Sequence, residues 1–197
     1  DERVLREYTG TFQWKRDAFL YLQLWNEFSG KNELVAFDES GEVRTLYAIE
    51  RDCFFAGPGA AVPRTVESHI QFQRDGAGRV ISITWQRKGR APRTAERVEI
   101  ENHEDVRFQN GSIQLAGTLI RPAAGKLHPA IILVHGSGPQ DRLSILPFAR
   151  FLIRDGMAVL GYDKRGVGGS GGDWNTASFQ DLASDVVAAF DYLKTRR

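Results

Sequence analysis

The sequence predicts an α/β unit preceded by a small antiparallel, barrel-like β domain. Three observations carry this. Residues 8–100 consist of short runs with period-two alternation, separated by turns rich in Gly and Asp. Residues 101–197 alternate strand-like and helix-like segments. The change of style falls near residue 100, so the expected domains are 1–100 and 101–197.

In the first domain, Phe19 to Trp25 is apolar at nearly every position and predicts a strand buried on both faces. Ser29-Gly30-Lys31-Asn32 turns it into Leu34–Phe37, and Asp38-Glu39-Ser40-Gly41 leads on to Val43–Tyr47. Gly57-Pro58-Gly59 interrupts the middle of the domain. Asp75-Gly76-Ala77-Gly78 joins Ile70–Phe72 to a strand in which Ile81, Ile83 and Trp85 face the core, and Ser82, Thr84 and Gln86 face away. No helical periodicity occurs between Tyr8 and Ile100. A closed or strongly curved antiparallel sheet is expected, because closure removes exposed edges.

In the second domain, Val106–Gln109 and Ile113–Ile120 predict a hairpin turned at Asn110-Gly111. Ala130-Ile131-Ile132-Leu133-Val134 predicts a strand buried on both faces. Ser144 is expected to cap a helix to Asp155, with Phe148, Phe151 and Leu152 on its buried face and Gly156 as its stop. Met157–Leu160 predicts a parallel partner for the 130–134 strand. Phe179, Leu182, Ala183, Val186, Val187, Phe190 and Leu193 recur at helical spacing, and Ser178 with Asp181 forms a capping-box start.

Composition excludes several classes. There are 26 basic and 25 acidic side chains, a net charge of +1, which gives no reason to expect nucleic acid as partner. The cluster Arg87, Lys88, Arg90, Arg93 reads as a solvated loop. No apolar run is long enough for a transmembrane helix. The chain starts at Asp1 without a signal-peptide pattern, which fits a cytoplasmic protein or an exported one with its signal removed. Cys53 is the only cysteine and lies in an apolar run, so it reads as a small buried hydrophobe. No two histidines share a helix face or a short ligand spacing, so no metal site and no cofactor are implied.

Two motifs carry chemistry. His135-Gly136-Ser137-Gly138-Pro139 follows the first buried strand, where small residues allow a sharp turn that presents free N–H groups to a developing oxyanion. Asp163-Lys164-Arg165-Gly166-Val167-Gly168-Gly169-Ser170 follows the second. Gly168-Gly169-Ser170-Gly171-Gly172 fits the pattern of a nucleophile elbow, but an elbow needs a strand entering and a helix leaving at once. Here Asp163–Gly168 intervene before Ser170 and Asp173–Thr176 after it, so Ser170 is expected on a solvent-accessible loop without a histidine partner. A nucleotide site at Gly166–Gly172 lacks the lysine and the helix start that phosphate binding uses.

The two motifs together, from Val134 to Arg142 and from Asp163 to Gly168, resemble the α/β-hydrolase superfamily, in particular bacterial esterase and serine-aminopeptidase-like members. The resemblance covers about residues 104–197 and implies an incomplete α/β-hydrolase fold, its front strands only, truncated before the nucleophile elbow. It implies a serine hydrolase of esters or amides in which the Ser137 backbone N–H forms half of an oxyanion hole. His135, Gly136, Gly138, Asp163, Arg165 and Gly166 would shape and brace the loops. The nucleophile, acid and base would lie outside this chain, in a missing C-terminal part or a second polypeptide, leaving the chain inactive and its last strand without a neighbour. More loosely, Phe55–Gly59 and Ile81–Trp85 resemble lipocalin-like β domains that precede some of these hydrolases. The alternative is a non-catalytic ligand- or partner-binding module built on the β domain. In it Trp14, Trp25, Phe54 and Trp85 would line a cavity rather than pack a core.

Overall fold

The computed structural model describes residues 1–26, 29–38 and 40–196, so Glu39 of the expected 38–41 turn lies outside the described residues. The chain divides into two compact units, Asp1–Glu99 and Ile100–Arg197.

The first unit opens with a short helix, α1 (Glu2–Arg6), capped by the Asp1 side chain, which the apolar pattern does not reveal. Eight strands follow: β1 (Gly10–Lys15), β2 (Ala18–Trp25), β3 (Glu33–Asp38), β4 (Val43–Glu50), β5 (Cys53–Ala56), β6 (Ser68–Arg74), β7 (Val80–Arg87) and β8 (Arg93–Val98). Each pairs antiparallel with the next, and β8 returns to β1 at Thr11↔Val98 and Gln13↔Glu96, closing a barrel. Inward side chains from every strand meet in one core, among them Phe12, Leu22, Leu46, Phe54, Phe72, Ile83 and Ala95. An eight-stranded barrel is just wide enough to be filled this way. β2 is buried on both faces, as its sequence suggests. Ile83 faces the core as expected, but Ile81 is 40% exposed, because the register slips between Gln73 and Arg74 and turns Val80 inward in its place. Such a bulge shifts the phase of a strand by one residue.

The second unit contains β9 (Glu101–Asn110), β10 (Ile113–Pro122), β11 (Ala130–Leu133), β12 (Ala158–Tyr162), α2 (Ala149–Arg154) and α3 (Phe179–Lys194). The strand order is β11-β12-β10-β9, with β11 and β12 parallel from Ala130↔Ala158 to Leu133↔Gly161 and the other pairs antiparallel. The hairpin turns at Gly111, whose φ of 58° is one that glycine adopts without strain. Alternate residues feed opposite faces. Leu115, Leu119 and Leu160 pack with Ala189 of α3, while Ile120 and Val159 pack with Ala149 and Ile153 of α2.

Four expectations are corrected here. β12 is buried along its whole length, but β11 is only partly buried and Val134 is 49% exposed. The reason is position: β12 sits between β11 and β10, and β11 is the edge strand. The last strand therefore has both neighbours, and among the described residues the open edge on this side belongs to β11. The expected helix 145–155 begins as two 3-10 turns, Arg142–Ser144 capped by Asp141 and Leu146–Phe148 around Pro147, and becomes α-helical only at Ala149. Its buried face is Ala149, Arg150 and Ile153, whereas Phe148 and Phe151 are exposed. Gly156 ends it at φ 81°. On α3 the Ser178–Asp181 capping box is present as expected, and Phe179, Val187 and Phe190 face outward at 87%, 59% and 55% exposure. Among the described residues no helix is long and apolar enough to cross a membrane.

Candidate functional site

Both motif loops leave the carboxyl ends of parallel neighbours, β11 and β12, which places them side by side. In open α/β sheets this is where ligands bind. The first loop is tied down from within and from across. The Gly136 N–H donates to Gln140 Oε1 at 2.6 Å. Lys164 Nζ, from the second loop, donates to the carbonyls of Gly136 and Gly138, each at 3.0 Å. Lys164 is 3% exposed and lies over the Trp174 ring at 5.2 Å. Its ammonium therefore spends two donors on the carbonyls of the loop and fixes its backbone. Ser137 is exposed, and its N–H has no hydrogen-bond partner among the described residues. Lys164 is the residue that sequence reading missed. Its sequence signal is a lysine directly after a buried strand.

His135 is buried with its ring edge-on to Tyr162, 5.2 Å between centroids, and no side-chain partner reaches either ring nitrogen. Burial first, and the Lys164 charge second, hold its pKa below the usual histidine value. It is therefore neutral near pH 7 and unpaired with any carboxylate. Burial likewise pushes the Tyr162 phenol up, so it stays protonated.

The second loop is organised by Asp163, which is 2% exposed. Its carboxylate accepts the Arg142 N–H at 2.9 Å and the Gly169 N–H at 2.8 Å. Gly168 is required here: at φ 55°, a Cβ would come within 2.5 Å of Asp163 Oδ2. Arg165 turns the other way and forms a bidentate pair with Asp185 of α3, both contacts 2.8 Å, and also donates to the Asp181 carbonyl at 2.8 Å. Asp185 is fully buried and takes a further hydrogen bond from Asn110 at 2.7 Å. This hydrogen-bonded pair raises the Arg165 pKa. Arg165 and Asp163 thus fasten the loop to α3 and to the 3-10 segment.

Ser170 corrects the expectation of a solvent-accessible loop. It is buried, its hydroxyl donates to the Asp163 carbonyl at 2.7 Å, and it accepts the Ala116 N–H at 3.0 Å. Both roles of the hydroxyl are occupied by backbone, and no histidine is near it in hydrogen-bond terms. The other histidines are elsewhere: His69 is exposed on β6, His103 meets Glu101 at 2.9 Å, and His128 meets the Gly156 carbonyl at 3.1 Å. Among the described residues no group of three or more potential metal ligands occurs.

Residues 125–197 match the family model described as serine aminopeptidase, S33. A 68-residue stretch is 32% identical to the quorum-quenching protein AidA of Acinetobacter baumannii (strain MDR-ZJ06), covering 34% of this chain. The chain spans 22% of the length of that curated relative. At this coarse level the matches support a hydrolase-type domain of the α/β-hydrolase superfamily in the second unit.

Proposed function

We propose that the second unit is the front part of a serine hydrolase acting on a carboxylic ester or amide by acyl transfer, and that its share of the chemistry is the Ser137 backbone N–H. In this reading a serine attacks the carbonyl carbon, and a histidine takes the proton and returns it to the leaving group. The tetrahedral oxyanion is held by the Ser137 N–H together with the N–H that follows the nucleophile. The observation that carries the reading is the exposed Ser137, whose N–H has no hydrogen-bond partner among the described residues, on a loop whose carbonyls are held by Lys164. Pre-set donors of this kind cost no reorganisation when charge develops.

The nucleophile, acid and histidine are assigned to a further segment, downstream in the same gene product or on a second polypeptide. Ser170 is spent on backbone hydrogen bonds, and His135 has no carboxylate partner. The unpaired side of β11 and the outward Phe179, Val187 and Phe190 of α3 offer that segment a strand edge and an apolar face. The eight-stranded barrel is compatible with a lipocalin-like accessory domain.

The test is p-nitrophenyl acetate turnover and fluorophosphonate labelling of residues 1–197, alone and with the completing segment. Turnover and labelling are expected only with the segment present. Turnover by 1–197 alone, or labelling at Ser170, would overturn the proposal.

A further inference from the structure

The barrel is plugged at one end and open at the other. At the plugged end Tyr8 is 1% exposed, its ring lying 4.9 Å from Phe54 and 4.7 Å from Phe72. Its hydroxyl accepts the Asp52 N–H at 3.1 Å. Arg97 closes the same end by donating to the Thr9 carbonyl at 2.7 Å and the Val80 carbonyl at 2.6 Å. At the opposite end a cavity of about 130 Å³ opens, walled by Trp14, Leu20, Ala36 and Trp85. A sealed apolar cavity of roughly 150 Å³ takes one benzene molecule, so this space suits a single ring or a short carbon chain.

The rim of that cavity is cationic. Arg44, Arg87, Arg90 and Arg93 line it, with Asp38 and Glu42. The carboxylates are largely spoken for. Glu42 pairs with Arg44 at 3.2 Å, and Glu67 pairs with Arg44 at 3.1 Å and Arg87 at 3.4 Å. Asp38 accepts the Ser40 N–H at 2.8 Å. Arg90 and Arg93 have no ion pair among the described residues. Arg93 lies over the Trp14 ring, its guanidinium carbon 4.5 Å from the centroid, which holds the cation at the rim. A pocket with aromatic and aliphatic walls and unpaired cations at its lip is matched by a molecule with an apolar body and one anionic head.

We propose that the open end of the barrel binds a small amphipathic carboxylate, its apolar part against Trp14, Leu20 and Trp85 and its head on Arg90 and Arg93. This site stands independently of the hydrolase chemistry proposed for the second unit. The basic cluster, read from sequence as a solvated loop, becomes in this assignment the recognition element, because β7 and β8 carry it onto the rim.

The probe is hexanoate, with hexanamide as its neutral analogue and hexylamine as its cationic one, titrated into the 15N-labelled chain. Of the four tryptophan indole N–H signals, those of Trp14 and Trp85 should move saturably with hexanoate. Those of Trp25 and Trp174 should not. Hexanamide should bind about tenfold more weakly, the value of one charge-assisted hydrogen bond, and hexylamine more weakly still. The exposed double variant Arg90→Gln/Arg93→Gln should lose about tenfold for hexanoate while keeping the affinity of hexanamide. That retained affinity reports an intact barrel. Trp85→Leu should weaken hexanoate and hexanamide alike. No saturable shift at Trp14 and Trp85, a preference for hexylamine, or an unchanged hexanoate affinity in the double variant would each overturn the assignment.

Discussion

Strands β8 and β11 each stand last in the pairing order of their sheets, but they meet different fates. β8 pairs with β7 on one side and β1 on the other, whereas β11 pairs only with β12 among the described residues. Closure lets the barrel satisfy its backbone from within, and its core is one apolar cluster. The second unit splits its apolar contacts between two smaller clusters and adds buried charge: Arg165 with Asp185, and Arg150 with Glu101. The first unit has ion pairs too, Arg44 with Glu67 and Arg74 with Asp52, but each keeps a partly exposed partner, whereas both partners of the second unit's polar fastenings are buried. The fastenings also set the shape of the candidate site.

The largest expected effect tests the fastenings. Asp185→Ala strips Arg165 of its buried carboxylate partner and Asn110 of one of its two acceptors. Breaking a buried pair in this way costs about 3–5 kcal/mol. Chemical denaturation should show the loss in the transition reported by Trp174, the tryptophan of the second unit, and an unchanged Trp174 midpoint would refute the role given to the pair. In the barrel the matching test is Ile83→Ala, at a fully buried position. It should cost about 3 kcal/mol through lost burial and a residual cavity, read by the same denaturation on Trp14 and Trp85. If Asp185→Ala shifted those barrel signals as much as Trp174, the contrast between the units would fail.

How much of this was legible follows from the same contrast. The parallel β11–β12 pair, the Asn110-Gly111 hairpin and the α3 capping box were all readable, because each depends on local residue types at short spacing. β8 was not. Its sequence RTAERV offers little apolar alternation, since its inward neighbours of Ala95 are Arg93 and Arg97, which cap the two ends of the barrel instead of filling it. The exposure of β11 was hidden for another reason: four apolar residues in a row look the same on an edge as in the middle of a sheet. At the site, the glycines and Asp163 were visible as a motif. The grip of Lys164 on the loop was not, because it depends on a contact across 26 and 28 positions of sequence.

A smaller effect comes from pH. The His135 pKa is lower in the folded chain than the unfolded value of about 6.5. Below that value the unfolded state binds the proton more readily, so stability falls as pH drops through about 6.5 toward the lower folded pKa. Above it the contribution is complete. Urea midpoints of the Trp174 transition at pH 7.5 and 5.5 should differ more for the wild type than for His135→Gln, in which the titrating group is gone. A wild-type chain that gained stability on acidification relative to that variant would reverse the sign and exclude a buried neutral imidazole.

The smallest effect concerns the start of α3. Ser178 Oγ accepts the Asp181 N–H at 3.2 Å, and Asp181 Oδ2 accepts the Ser178 N–H at 2.9 Å and its hydroxyl at 2.6 Å. Two otherwise orphaned donors are satisfied reciprocally. Ser178→Ala removes the side-chain half and should cost about 1 kcal/mol. The loss should stay local, because Arg165 still holds the Asp181 carbonyl and anchors the first turn to the β12 loop. The cap also has a pH signature. Hydrogen bonds from the Ser178 side chain and backbone lower the Asp181 pKa, so its contribution is present above the unfolded carboxylate value of about 3.9 and disappears as pH falls through the lower folded one. Amide exchange at the beginning of α3 should therefore quicken in Ser178→Ala at pH 7 while the amides of β10 and β12 keep their protection. Exchange that quickened equally in the sheet would mean that the cap supports the whole second unit, and the division between local and unit-wide fastenings drawn at Asp185 would have to move to the helix terminus.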